Sequence, residues 1–188
     1  MNIILFGSPY SGKGTQASLI SEKYDLIHLN TGELLRKEVQ TGSKLGKKYS
    51  YYLERGEIVP NHMVSNMINN MIKKHITSKG FIFDGFPRSV EQAHTFESIL
   101  NENDLELNLC IGLKVSDDII MERAIIRSSE SNRIDDTNEL INKRLNVHKE
   151  IVEPVADFYK VKGLYKEING NLYMNDVFDL IVKEIDIL

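Results

Sequence analysis

The stretch that decides the fold of this 188-residue chain is Gly7-Ser8-Pro9-Tyr10-Ser11-Gly12-Lys13-Gly14-Thr15. It follows a short apolar run at 2–6, which is typical of a buried parallel strand. After the stretch, apolar residues recur at helical spacing from Ala17 to Tyr24. A glycine loop between a strand and a helix turns backbone N–H groups toward an anion, and the helix dipole and a lysine add to the attraction. The stretch therefore predicts a phosphate-binding loop.

Strands and helices alternate along the rest of the chain. Apolar runs predict further strands near 27–29, 80–84, 107–115 and 164–168, and the segments between most of them predict helices. Such alternation predicts an α/β fold whose parallel sheet is covered by helices on both faces.

Three local features refine this pattern. Thr31 is a plausible N-cap for the helix that follows it. Residues 128–136 are polar and aperiodic, which predicts a loop. A long helix from Thr137 is expected to kink or break near Pro154, because proline cannot donate a helical hydrogen bond.

Composition and charge exclude several classes of protein. No apolar run reaches the roughly 20 residues that span a bilayer, and the N-terminus lacks a basic lead, so we expect neither a membrane segment nor a signal peptide. The net charge of −4 argues against general electrostatic binding to nucleic acid. Cys110 is the only cysteine, which excludes a disulfide framework and a multi-cysteine zinc site. We expect this thiol to be buried and inert, and the compartment to be reducing and cytoplasmic.

Further motifs follow the phosphate-binding loop in order. They are Asn30-Thr31-Gly32-Glu33-Leu34-Leu35-Arg36, Gly56-Glu57-Ile58-Val59-Pro60, Asp84-Gly85-Phe86-Pro87-Arg88, Arg123-x-x-x-Arg127, Arg133-Ile134-Asp135-Asp136 and Lys143-Arg144. Together with the loop they cover nearly the whole chain, and they resemble the nucleoside monophosphate kinases, most closely the short-lid adenylate kinases. Gly14 stands where the general phosphate-loop motif has Ser or Thr, and this is the form usual in that family.

The resemblance implies a fold and an activity. The fold would be a P-loop three-layer α/β/α sandwich with a parallel five-stranded sheet, in which residues 1–188 form one domain. Residues 31–59 would form a helical monophosphate-binding insert, and residues 128–136 a short lid. The activity would be reversible, magnesium-dependent phosphoryl transfer from ATP to AMP, giving two ADP. These nucleotides would be the partners of a monomer that binds neither nucleic acid nor membranes and needs no zinc.

The same resemblance assigns residues to the two nucleotides. The ATP site would comprise Gly7, Ser8, Pro9, Tyr10, Ser11, Gly12, Lys13, Gly14, Thr15, Arg123 and Arg127, with Arg123 stacked on the base. The AMP site would comprise Thr31, Gly32, Arg36, Glu57, Ile58, Val59, Gly85, Phe86, Pro87, Arg88, Gln92, Arg133 and Arg144. Catalytic roles around the transferring phosphoryl group are implied for Lys13, Arg88, Arg127, Arg133 and Arg144. Arg55 is the one arginine left over, and we expect it to be an exposed charge at a helix end.

Some of these residues also have a purely local explanation. Gln92 lies three residues after Ser89 and could complete a capping box, contact adenine, or do both. Asp84 either ends its strand or organises magnesium, through water. We expect the lid aspartates, Asp135 and Asp136, to hold the lid arginines. The histidines at 28, 62, 75, 94 and 148 show neither metal-ligand nor triad spacing, and we expect them to be structural or exposed.

Tyr10 is the clearest departure from the family, whose loop commonly has glycine at this position. Either Tyr10 adopts a positive φ at the cost of strain, or the loop takes a negative φ there and the ring points outward over the donor site or the lid. We favour the second arrangement, because Pro9 fixes the turn and the remaining loop glycines, Gly12 and Gly14, are intact.

Two other functions are alternatives. A kinase acting on UMP and CMP, or on another monophosphate, is the first, although such enzymes tend to place Ala where Thr31 stands, and Thr31 with Gln92 favours AMP. A P-loop switch of the GTPase kind is the second, but the sequence has no Asn-Lys-x-Asp guanine motif, and such a switch would leave the arginines unexplained. The preference for ATP or GTP as donor stays open.

Overall fold

The structure, a computed structural model, describes residues 1–130 and 138–188. Its sheet consists of β1 (Asn2–Gly7), β2 (Ile27–Asn30), β3 (Phe81–Asp84), β4 (Leu109–Lys114) and β5 (Tyr165–Asn169). The strands lie in the order β2-β3-β1-β4-β5, and every pairing between neighbours is parallel. The predicted α/β class and parallel five-stranded sheet are confirmed.

Helices fill the connections between the strands. They are α1 (Lys13–Tyr24), α2 (Thr31–Gln40), α3 (Lys44–Leu53), α4 (Asn61–Lys74), α5 (Val90–Glu102), α6 (Asp117–Glu130), α7 (Asn138–Val147), α8 (Glu153–Val161) and α9 (Met174–Ile185). A π-helical segment, His148–Val152, joins α7 to α8. The break predicted near Pro154 is therefore present, and it lies just before the proline that cannot continue the hydrogen-bond ladder.

Successive side chains of a strand face opposite sides of the sheet and enter different cores. From β1, Ile4 and Phe6 enter the larger core, to which α2 to α5 and α8 contribute. Ile3 and Leu5 enter the second core, to which α1 and α9 contribute. The sheet is thus the middle layer between two layers of helices, as the resemblance implied.

The carboxyl ends of three neighbouring strands meet at one edge of the sheet. β1 ends at Gly7, β2 at Asn30 and β3 at Asp84, and Asn30 lies in register with Asp84. In an open parallel sheet, ligands bind beyond this edge, where the connections diverge to either side. The phosphate-binding loop, the start of α2 and the turn after β3 are therefore brought together.

The start of α2 corrects one local prediction. Thr31 is the first residue of the helix, and its N-cap is Asn30. The Asn30 side-chain oxygen accepts a hydrogen bond of 2.9 Å from the backbone N–H of Glu33. Asparagine is an equally good cap, and here it also ends β2, so the strand passes directly into the helix.

The predicted loop at 128–136 is wrong for its first three residues, because α6 continues to Glu130. The hydroxyls of Ser128 and Ser129 donate to the carbonyls of Ile125 and Ile126, at 2.8 and 2.7 Å. Serine hydroxyls that bond back into the preceding turn are compatible with a helix. The remainder of the predicted lid, with Arg133, Asp135 and Asp136, lies outside the described residues.

Gly46 in α3 marks a close contact between α3 and α2. A Cβ atom at this position would overlap the carbonyl oxygen of Glu38 and would lie 3.1 Å from the Cα of Val39.

We expect Gly46→Ala to lower the free energy of unfolding by about 1–3 kcal/mol through overpacking, even though alanine is favoured in helices by about 1 kcal/mol. Urea denaturation measures the change. Lys48→Ala, at an exposed position of the same helix, is the control, and equal stability of the two variants would contradict the close contact.

Candidate active site

The loop after β1 forms a tight turn that ends at the N-terminus of α1. The N–H of Ser11 donates to the carbonyl of Ser8 at 3.2 Å, and Gly12, with a φ of 90°, leads into the helix. The Lys13 ammonium folds back over the loop and donates to the Ser8 carbonyl at 3.2 Å. A helix N-terminus, a glycine turn and a lysine thus converge, and this arrangement attracts phosphate oxygens.

Arg123 braces this loop from α6. One of its terminal nitrogens donates to the carbonyl of Ser11 at 3.1 Å, and the other donates to the carbonyl of Gly170 at 3.2 Å. The guanidinium group therefore connects the phosphate loop to the segment after β5. It also lines the cleft beside the loop, where the family resemblance predicts a contact with the donor base.

The backbone of Tyr10 shows that the predicted negative φ and outward-pointing ring are wrong. Its φ is 67°, in the left-handed region, where a residue other than glycine carries strain of about 1–3 kcal/mol. Its ring does not point outward, since it is only 5% exposed and packs with Ile120, Ala124 and Ile141 from α6 and α7. Burial of an aromatic side chain contributes about 1.5–3 kcal/mol, which is enough to hold the strained backbone in place.

Two adjoining spaces lie beyond the carboxyl edge of the sheet. The open cleft, of about 650 Å³, lies along the loop and α1, and its lining includes Gly12, Gly14, Thr15, Asp84, Arg123 and Arg127. The inner cavity, of about 100 Å³, lies under α2 and the segment that precedes α4, and its lining includes Thr31, Glu57, Ile58, Val59, Gly85, Pro87 and Gln92. The structure therefore brings most predicted ATP residues around the cleft and most predicted AMP residues around the cavity.

Four cationic side chains line both spaces and so lie where the two meet. They are Lys13, Arg36, Arg88 and Arg144. Burial and the neighbouring arginines lower the pKa of Lys13 to about 8, although Asp84 acts in the opposite direction. Because this junction concentrates positive charge, it favours a ligand that carries several negative charges.

Arg88 and Gln92 are held by the turn after β3. The Arg88 Nε donates to the carbonyl of Gly85 at 2.7 Å, and its backbone N–H donates to the side-chain oxygen of Gln92 at 2.8 Å. The Gln92 amide nitrogen also donates to the carbonyl of Val59 at 3.3 Å. Gln92 is buried, and its backbone N–H donates to the Ser89 hydroxyl at 3.2 Å, so Ser89 caps α5. The predicted capping box is not completed, because the Gln92 side-chain oxygen accepts from the N–H of Arg88 instead of that of Ser89.

Asp84 is a buried carboxylate on the floor of the open cleft. It accepts a hydrogen bond of 2.7 Å from the Asn30 side-chain nitrogen, and the His28 Nε2 lies 3.6 Å from the same oxygen. Burial alone would raise the pKa of Asp84, but the His28 imidazole and the positive charges of Lys13 and Arg88 hold it below its usual value. Asp84 is therefore ionised at neutral pH and can attract a divalent cation.

The donor chemistry around Asp84 fits magnesium held largely by other ligands. Within residues 1–130 and 138–188, no three His, Cys, Asp or Glu side chains form a metal-binding group. Magnesium commonly binds through one or two carboxylates together with phosphate oxygens and water, and it does not need a protein cage. One ionised carboxylate that lines the open cleft, beside the predicted phosphate-binding loop, meets this requirement.

A family model and three relatives point to the same family. A family model described as adenylate kinase matches residues 5–164. The chain is 39% identical over 188 residues to a protein named adenylate kinase from Bacteroides fragilis, with 100% of both chains covered. It is 38% identical over 186 residues to one from Bacteroides thetaiotaomicron, with 99% of this chain and 98% of the relative covered. It is 37% identical over 183 residues to one from Leptospira biflexa, with 97% and 98% covered.

The chain belongs to the adenylate kinase family. It is therefore a phosphotransferase with adenylate kinase activity, as the motifs predicted. Family membership overturns the alternative of a GTPase-like switch. Among the described residues, no helix is both long and apolar enough to cross a membrane.

Not every residue that the adenylate kinase motifs pointed to faces the two spaces. The Phe86 side chain is buried in the larger core and packs edge-on against Phe96 at 5.6 Å. Ser8 and Ser11 contribute to the loop through their backbone groups, and neither lines the cleft or the cavity. Arg133 lies outside the described residues. Arg55 is exposed and lies over the Tyr51 ring at 3.8 Å, in agreement with its expected surface position.

Two of the five histidines that were expected to be structural or exposed line the two spaces. His28 lines the open cleft and His148 the inner cavity. Burial and the charges of Lys13 and Arg88 lower the pKa of His148 to about 4, so this imidazole is neutral at pH 7. Spacing gave a signal for both: His28 lies two residues before Asn30 in β2, and His148 four residues after Arg144.

Proposed function

We propose that the open cleft binds ATP, that the inner cavity binds AMP, and that the phosphoryl group is transferred where the two spaces meet. The observation that carries this proposal is the position of Lys13, Arg36, Arg88 and Arg144, each of which lines both spaces. Phosphoryl transfer requires in-line placement of donor and acceptor and stabilisation of negative charge on the moving group. Cations shared by two adjoining binding spaces provide both.

The chemistry requires little covalent assistance from the protein. The attacking atom is a phosphate oxygen of AMP, which is ionised at neutral pH, so no general base is needed. Lys13 would neutralise charge on the donor phosphates, while Arg88, Arg127, Arg144 and the undescribed Arg133 would surround the transferring group. Bound magnesium would supply charge neutralisation on the donor phosphates, and Asp84 would hold it, directly or through water.

Base selection would take place at Gln92, beside Thr31. The Gln92 side chain is fixed by Arg88 and Val59 on the wall of the inner cavity, and a carboxamide can pair with both an acceptor and a donor on adenine. A rigid, buried amide discriminates strongly, because a base that leaves it unpaired loses the hydrogen bonds without relief from water. This position supports AMP over UMP and CMP as acceptor.

Residues 31–59 would act as a movable monophosphate-binding insert. The inner cavity, of about 100 Å³, is smaller than the roughly 300–1,000 Å³ typical of ligand pockets. The end of the insert contacts α7, where Glu57 lies 3.4 Å from Lys143. Opening of this contact would admit AMP, and closing it would exclude water, the competing acceptor. Residues 128–136, of which the first three continue α6, would contribute the lid on the donor side.

The remaining proposals concern the compartment, the oligomeric state and the partners of the enzyme. We propose a cytoplasmic monomer that acts on ATP, AMP and ADP and does not bind nucleic acid. The net charge of −4 supports the last point. Cys110 is fully buried, and burial raises the pKa of its thiol, which suits a protein that forms no disulfide. Size-exclusion chromatography with light scattering measures the oligomeric state.

One steady-state experiment tests the substrate assignment. Formation of the diphosphate of each acceptor (ADP, CDP, UDP or GDP) is measured with ATP or GTP as donor and with AMP, CMP, UMP or GMP as acceptor, each with and without magnesium. We expect AMP to be by far the best acceptor and activity to depend on magnesium. Equal rates with AMP and UMP would instead support the monophosphate kinase of broader specificity.

Replacement of Gln92 by leucine should weaken base discrimination specifically. We expect the preference for AMP over CMP, measured as the ratio of the two kcat/KM values, to fall by about 5- to 150-fold, because the lost hydrogen bonds amount to roughly 1–3 kcal/mol. Gln16→Leu is the matched control, since Gln16 is also buried and donates to a backbone carbonyl, that of Met174, but lines neither space. A similar loss of discrimination in both variants would remove the role of Gln92.

A further inference from the structure

Tyr10 is a large side chain in a loop that binds phosphate through its backbone. Nothing in the chemistry of phosphate binding requires an aromatic ring there, and the left-handed φ of 67° disfavours any side chain. The ring is nevertheless almost fully buried. Backbone strain of this kind in the phosphate-binding loop suggests that the Tyr10 side chain has a role in the structure or function of the loop.

The ring of Tyr10 contacts two helices at once. It packs with Ile120 and Ala124 of α6 and with Ile141 of α7. Two cations lie against the same ring: the guanidinium carbon of Arg127, in α6, is 4.2 Å from the ring centre, and that of Arg144, in α7, is 5.6 Å from it. Both distances lie within the range of cation–π attraction, which extends to about 6 Å.

This one ring therefore links three parts of the site: the phosphate loop and the two helices that carry arginines. Both Arg127 and Arg144 line the open cleft together with Lys13. A tyrosine side chain has only two main torsion angles, and packing in the apolar cluster restricts them further. The positions of the two guanidinium groups relative to the loop are thus tied to a rigid group that belongs to the loop itself.

We propose that Tyr10 is a positioning residue for phosphoryl transfer, whose ring face holds Arg127 and Arg144 beside Lys13; this rests on the proposed function, in which these arginines surround the transferring group. An aromatic face suits the task better than a carboxylate would. A carboxylate would hold an arginine but would neutralise the charge that the phosphoryl oxygens require. The uncharged ring attracts the guanidinium groups and leaves their full positive charge in the cleft.

The test compares variants that separate the ring face from the hydroxyl and from apolar packing. Tyr10→Phe keeps the ring, whereas Tyr10→Leu keeps an apolar side chain at the same backbone geometry but has no ring face. We expect Tyr10→Phe to retain kcat within about twofold. Tyr10→Leu should lower kcat about five- to tenfold with little change in KM for AMP, since the arginines act mainly on the transition state. Urea denaturation of each variant reports whether it is folded.

A double-mutant cycle measures the coupling between Tyr10 and Arg127 in kcat, which a purely structural role of Tyr10 would not produce. In an Arg127→Met background, Tyr10→Leu should lower kcat less than it does in the parent, because one of its two cationic partners is already gone. Should Tyr10→Leu fail to fold, Tyr10→Asn replaces it in the cycle, since asparagine tolerates the left-handed φ and also lacks a ring.

The possible outcomes decide between the claims. The positioning role of Tyr10 would be overturned if the Tyr10→Phe and Tyr10→Leu variants had equal kcat values. It would also be overturned if Tyr10→Leu lowered kcat by the same factor in the Arg127→Met background as in the parent. Failure of the proposed function is separate from these outcomes. It would be visible as absence of AMP phosphorylation by the parent protein, or as full activity of the Arg127→Met single variant.

Discussion

Replacement of Lys13 by methionine should lower kcat/KM for ATP and AMP by at least about 100-fold, or about 2.7 kcal/mol of transition-state stabilisation. Methionine has nearly the same length and fills a similar volume, so the change removes the charge and spares the packing. In the structure the ammonium group lies over the loop and lines both the open cleft and the inner cavity. No side chain that could replace it lies on the loop itself.

The Lys13→Met variant should not lose stability, and the lowered pKa of Lys13 determines how the difference in free energy of unfolding between variant and parent changes with pH. Burial lowers the pKa of Lys13 from 10.5 to about 8, so between these values the folded protein binds fewer protons than the unfolded chain. This lysine therefore disfavours folding below pH 8, and that effect disappears as the pH rises to 10.5. Without nucleotide, Lys13→Met should be at least as stable as the parent at pH 7, and the difference should narrow above pH 8.

Kinetics and denaturation together test this prediction. Lys23→Met is the control, because Lys23 lies exposed in the same helix, α1, and lines neither space. The control should keep its activity and its stability. Near-normal turnover of Lys13→Met would contradict the proposed transfer mechanism, and a marked loss of its stability at pH 7 would show that the lysine is instead a structural residue.

The parts of the fold that the sequence predicted well are those set by local pattern. The loop from Gly7 to Thr15 carries its own geometry in its glycines, and the run that ends at Asp84 is too short and apolar to be anything but a buried strand. Because parallel strands end at one edge, placing Asp84 after a strand already placed it near the loop. Much of the candidate site followed from these two elements.

Tyr10 could not be predicted correctly, because its backbone is set by packing with distant residues. On the loop sequence alone, a negative φ at Tyr10 has the lower conformational free energy, and the preceding Pro9 is compatible with it. The structure has a φ of 67° because the ring finds an apolar site between α6 and α7, more than 100 residues further along the chain. No local pattern reports whether such a site exists.

The end of α6 illustrates a different limit. Ser128 and Ser129 interrupt the apolar periodicity, which predicted a loop, but their hydroxyls bond to carbonyls of the preceding turn and the helix continues. His28 and His148 show a third limit: neither has metal-ligand or triad spacing in the sequence, yet His28 lines the open cleft and His148 the inner cavity. The sequence marks both only by their spacing from other site residues, two positions before Asn30 and four after Arg144.

Replacement of Arg88 by lysine should be nearly as damaging as the loss of Lys13, although it preserves the charge. We expect kcat/KM to fall about 100-fold, or about 2.7 kcal/mol. The Arg88 Nε is engaged with the Gly85 carbonyl at 2.7 Å, which fixes the planar group at the junction of the two spaces. Lysine has no Nε donor and no planar fork, so it can neither keep this bond nor bind two phosphate oxygens at once.

The matched control is Arg55→Lys, which makes the same exchange at an exposed arginine that donates to the Tyr51 carbonyl at 2.9 Å. Steady-state kinetics and calorimetric titration with AMP measure the two variants, and urea denaturation checks their folding. Arg55→Lys should match the parent in every measurement. Arg88→Lys should lose both AMP affinity and kcat. The two hydrogen bonds that a planar guanidinium group donates to a phosphate both bind it in the ground state and align it for transfer. Retention of parental kcat/KM in a folded Arg88→Lys would show that charge alone suffices at this position and would remove the bidentate role assigned to Arg88.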